Sequence, residues 1–61
     1  MWISEVKTKE KGLGSFCHRE TFETLEKGRE WASELAFRIV SRTHWMDDEI
    51  VMNHREVKEL T

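Results

Sequence analysis

Apolar residues change their spacing at Thr24, and that change limits the fold more than any other feature. Up to Phe22 they recur at alternate positions; from Leu25 they recur every third or fourth. A period of two belongs to strands with distinct faces, and a period near 3.6 to a helix with one buried stripe. The first strand is expected over Trp2 to Thr8, with Trp2, Ser4 and Val6 on one side and Ile3, Glu5 and Lys7 on the other. Lys9 to Gly14 follows as a hairpin loop, its two glycines suited to a reversal. Ser15 to Phe22 is the second, antiparallel strand, with Phe16 and Phe22 on one face and Cys17, Arg19 and Thr21 on the other.

Thr24 is placed to cap the helix, because its hydroxyl can accept from the exposed amides of the first turn. Glu26 and Glu30 lie near the positive end of the helix dipole and Arg38, Arg42 and His44 near the negative end. The acids Asp47 and Asp48 oppose that dipole, so the helix is expected to stop near Trp45. Gly28, inside the helix, predicts close approach to the sheet there. The segment from Glu49 to Leu60 also fits one helical face, with Asp47 or Asp48 as its cap. Its β-branched start and the marginal stability of a lone hairpin favour a third strand. The expected fold class is therefore α+β, a β-β-α-β chain forming a three-stranded antiparallel sheet with one helix on one face.

Size narrows the function classes. The chain has 61 residues, enough for one small domain, residues 1–61. It is too short to wall a deep pocket, so no enzymatic activity is expected. The single Cys17 excludes an internal disulfide. His18, His44 and His54 show no metal-ligand spacing, so neither a metal site nor a cofactor is expected. The longest apolar run is a few residues, far short of a membrane span, and the first residues do not read as a signal peptide. A cytoplasmic location is the expectation.

What remains is surface. On a helical wheel Leu25, Gly28, Ala32, Leu35 and Ile39 share an arc of about 80°, and Phe37 falls roughly 160° from its centre, on the polar face. Phe37, Trp45 and Arg55 are the candidate anchors for a protein partner, since aromatics and arginine dominate interface energies. Asp47, Asp48 and Glu49 are candidate electrostatic contacts. One helix covers one side of three strands, and the other side is expected to expose apolar residues, Ile3, Cys17, Ile50 and Met52, within a rim of Glu5, Lys7, Arg19 and Arg55. Such a face suits a protein partner or a homodimer. An alternative is nucleic-acid contact through Lys7, Lys9, Lys11 and Arg19 around the hairpin, which the interleaved acids Glu5, Glu10 and Glu20 and a pI near 5.9 oppose.

The segment Phe22-Glu23-Thr24-Leu25-Glu26-Lys27-Gly28-Arg29-Glu30-Trp31-Ala32 resembles the strand-to-helix junction of the arm-type DNA-binding domains of phage integrases, with Gly28 where alanine is usual. That resemblance implies DNA contact by the sheet. In length and element order the whole chain looks like small bacteriophage proteins that bind and inhibit host proteins. This second resemblance implies a chain, phage-encoded or carried by a mobile element, that acts by occupying another protein's surface.

Overall fold

The computed structural model describes residues 1–60. Strand β1 (Trp2–Glu10) and strand β2 (Gly14–Phe22) form a hairpin, helix α1 (Leu25–Trp45) follows, and strand β3 (Ile50–Glu59) returns beside β1. The sheet order is β2-β1-β3 with both pairings antiparallel, so β1 is central and β2 and β3 are free edges. This is the α+β, β-β-α-β arrangement that the two apolar periods predict. No helix among the described residues is long and apolar enough to cross a membrane.

The helix is bounded as its ends predict. Thr24 is extended, at φ −125° and ψ 152°, and its Oγ1 accepts from the Lys27 amide at 3.2 Å. At the other end Asp47 N–H donates to the His44 carbonyl at 3.2 Å and Asp48 N–H to that of Thr43 at 2.9 Å, while Asp47 sits at φ 55°. That pair of bonds with a left-handed residue is the Schellman closure, here with aspartate where glycine is commonest.

α1 lies over the face of β1 that carries Ser4, Val6, Thr8 and Glu10, all buried. Val6, Ala32 and Ile39 form the core, with Trp31, Leu35 and Ile50 packed against it, and Trp31 meets Phe22 at a ring separation of 5.7 Å. The inner stripe of the helix runs through Gly28, Ala32, Ala36, Ile39 and Thr43, and Leu35 stands half-buried on its flank. Gly28 is where helix and sheet come closest. A Cβ there would stand 3.1 Å from Val57 Cγ1, and the Gly28 carbonyl accepts from Ser4 Oγ at 2.9 Å.

Two expectations need correction. Strand β1 runs through Lys9 and Glu10, so these residues are paired rather than looped, and the reversal shrinks to Lys11, Gly12 and Leu13. The second concerns the uncovered face. Of the four apolar residues expected there, Ile50 turns to the helix, because an irregularity between Lys9 and Glu10 pairs Glu10 with Ile50 and leaves Val51 over. Arg55 pairs with Val6 and so also lies on the helix side, not on the far rim. Opposite the helix, Glu5, Lys7, Lys9, Arg19, His54, Glu56 and Lys58 outnumber Ile3, Cys17 and Met52. Charges therefore dominate that side, and the helix carries the two most exposed large apolar residues, Phe37 and Trp45.

Candidate interaction surface

Helical geometry places Phe37 where the wheel predicts, and its ring is 73% exposed. Val40, one turn further on, is 47% exposed. Ser33, Glu34 and Arg38 surround the ring on the helix. On its other flank Phe37 shares a shallow hollow with Ala36, Val40, Asn53 and Arg55, so the candidate anchors Phe37 and Arg55 meet across the seam between α1 and β3. Val40 and Asn53 continue that seam toward Thr43, His44, Asp48, Glu49 and Ile50. Trp45, 88% exposed, stands about 12 Å further along the helix, beyond reach of the Phe37 hollow.

Sequence reasoning missed Val40 and Asn53. Val40 sits on the flank of the buried arc, and only the height of β3 beside the helix decides whether such a flank is covered. Asn53 joins through its register opposite Thr8, which puts it on the helix side of β3.

The three acids separate into different roles. Asp48 is half-buried, and its Oδ1 accepts from the amides of Gly12 at 2.9 Å and Glu49 at 2.8 Å. Beside it the Lys11 amide donates to the Glu49 carbonyl at 2.8 Å, so the hairpin turn is tied to the end of the helix. Asp48 is thus a structural residue, whereas Asp47 and Glu49 are exposed. Replacing Asp48 by alanine orphans two amides and is expected to lower stability by about 1–2 kcal/mol. Asp47→Gly relieves the left-handed backbone and is expected to raise it by about 0.5–1 kcal/mol. Urea unfolding of both variants checks the pair of opposite signs.

The basic residues of the hairpin do not gather into one free cluster. Lys7 Nζ lies 3.3 Å from Glu5 Oε1 and Arg19 Nε bonds Glu5 Oε2, so one carboxylate engages two cations. The hydrogen bond from Arg19 holds the Glu5 carboxyl below its ordinary pKa against the opposing effect of burial, with Lys7 assisting; Glu5 in turn raises that of Arg19. Lys9 shares this face and Lys11 is exposed in the turn. A further ion pair lies under the helix: Arg42 Nη2 reaches both oxygens of buried Glu10, at 2.6 and 2.7 Å, with its guanidinium 5.7 Å from the centre of the Phe16 ring.

Among the described residues no group of three or more histidine, cysteine or acidic side chains is placed to hold a metal ion. No protein family, curated protein or solved structure matches this chain.

Proposed function

We propose that this chain is a small protein-interaction module, of the kind by which phages and mobile elements inhibit a host protein by occupying its surface. The setting we propose is the cytoplasm, the host's where a phage encodes the chain. The observation that carries this reading is Phe37, a large ring standing free on a polar helix face beside Val40, with Arg38 and Arg55 within the same patch. An aromatic anchor flanked by guanidiniums fits an apolar pocket rimmed by carboxylates. Trp45 would extend the contact along the same helix.

Nucleic-acid contact through the hairpin is the weaker reading, because two of its four basic residues, Lys7 and Arg19, already engage Glu5. Phosphate binding by them would first require breaking those contacts.

The test is affinity capture from a bacterial lysate, followed by titration of the recovered protein against wild type, Phe37→Ala and Trp45→Ala. Phe37→Ala is expected to weaken binding by about 2 kcal/mol, roughly thirty-fold, with the far-ultraviolet spectrum unchanged. Equal affinity of the two alanine variants and wild type would remove the helix face from the proposal.

A further inference from the structure

The outer edge of β3 carries a charge pattern that matches a copy of itself. Around Val57 the strand reads Arg55, Glu56, Val57, Lys58, Glu59: positive, negative, neutral, positive, negative. Each charge has its opposite at the same distance on the other side of Val57. In an antiparallel pair of identical strands centred on one residue, every position before the centre faces the equivalent position after it in the other copy. Centred on Val57, Arg55 faces Glu59 and Glu56 faces Lys58, each pairing occurring twice. No other centre within β3 gives more than one kind of opposite-charge pairing. Within β2, the other free edge, none gives more than His18 against Glu20.

The backbone is set for the same register. Leu60 N–H donates to the Met1 carbonyl at 2.8 Å, which continues the β1–β3 pairing of Trp2 with Glu59 by one residue. Hydrogen-bonded pairs alternate along an antiparallel ladder, so the even-numbered residues of β3 point their amides and carbonyls at β1 and Arg55, Val57 and Glu59 point theirs outward. Those are the residues that would face one another across the axis, as Val57 with Val57 and Arg55 with Glu59. About six backbone hydrogen bonds follow from the three facing pairs.

Side chains on the helix side agree. Arg29 and Arg55 line one hollow with Val57, and the carboxylate of an incoming Glu59 would arrive beside both guanidiniums. Among the described residues, Arg29, Arg55 and Glu59 take part in no ion pair within the chain. Val57 lies level with Gly28, so the axis passes the start of the helix and leaves Phe37, about 13 Å further along it, uncovered.

We infer that a second copy of this chain pairs with the free edge of β3, antiparallel and centred on Val57, to give a continuous six-stranded sheet with both helices on one face. This goes beyond the helix-face reading and stands without it: Arg55 borders both, but the pairing rests on Val57, Lys58 and Glu59 and the helix face on Phe37 and Val40, so Glu59→Arg tests the pairing alone.

Complementary charge reversal separates this register from general stickiness. Arg55→Glu sets acids against acids in the homodimer, and Glu59→Arg sets arginines against arginines; each alone is expected to weaken dimerisation at least about tenfold by sedimentation velocity. Mixed in equal amounts, the two variants face opposite charges at every pair and are expected to regain wild-type association as a heterodimer. In a Cys17→Ser background, Val57→Cys is expected to oxidise to a covalent dimer and Asn53→Cys is not. A wild-type chain that stays monomeric at submillimolar concentration overturns the inference. So does a mixture that associates no better than its components while circular dichroism shows both folded, or preferential cross-linking at position 53.

Discussion

Arg42→Met is expected to cost about 3 kcal/mol of stability, the largest single effect in this chain outside its apolar core. Arg42 is itself half exposed, so its own burial is not at stake. Its partner is: the Glu10 side chain is fully buried, at the end of the central strand, and both of its oxygens depend on one guanidinium nitrogen. Removing the cation leaves a carboxylate beneath the helix without its counter-charge, the circumstance in which breaking a buried pair is costly. A domain of this size has roughly 3–9 kcal/mol in total, so the loss amounts to between about a third and all of it.

The double variant Glu10→Leu with Arg42→Met separates burial from attraction. It has no stranded charge, and the leucine lies beside Ile50 and the core, so it is expected to recover most of the lost stability. Urea midpoints of the wild type, both single variants and the double variant give the coupling energy. A loss below about 1 kcal/mol for Arg42→Met would mean that water reaches Glu10 and that the pair is only a surface contact.

Glu10 also shows where the sequence stops being readable. The β-β-α-β order follows from apolar period and capping residues alone, because both are local: Thr24 needs only the next turn to cap, and alternation needs only its own strand. Glu10 looks like a loop residue among Lys9, Lys11 and two glycines. Its place in β1 depends on pairing with Gly14 and Ile50, and its inward direction on the phase of a strand that extends two residues further than its apolar members show. The irregularity near Val51 is non-local in the same way. It reverses which residues of β3 face the helix near Ile50, and so takes Ile50 off the far side.

The candidate surface divides along the same line. Phe37 was legible, since a helical wheel needs only the helix, and the ring stands where 3.6 residues per turn puts it. The chemistry of Arg55 marks it as an anchor from the sequence alone, but its side of the sheet depends on register with Val6, which puts it with the helix. In the sequence Asp48 reads as one of three adjacent candidate electrostatic contacts. Its role holding Gly12 joins positions 36 residues apart, and no local pattern announces it.

Ile39→Ala is expected to cost about 3 kcal/mol, comparable with the loss of Arg42 but by a different route. The molecule is a slab 39 × 16 × 12 Å with a single layer of contact between helix and sheet. Across that layer the buried apolar side chains among the described residues are Val6, Ala32, Ala36 and Ile39, and Ser4, Thr8, Glu10 and Thr43 occupy much of the rest. Two of the four apolar residues are alanines, chosen by the close approach that Gly28 begins, so Val6 and Ile39 supply most of the buried hydrocarbon. Truncating Ile39 to alanine removes three carbons and leaves a void beneath the helix that its stripe neighbours Ala36 and Thr43 are too small to fill. For a domain of this length the melting point is expected to fall by more than about 10 °C. Leu60→Ala, at an exposed position, is expected to shift it little, and calorimetry of the two variants makes the comparison. An equal shift for both would mean that the helix rests on its flanks, Trp31 and Leu35, rather than on the stripe through Ile39.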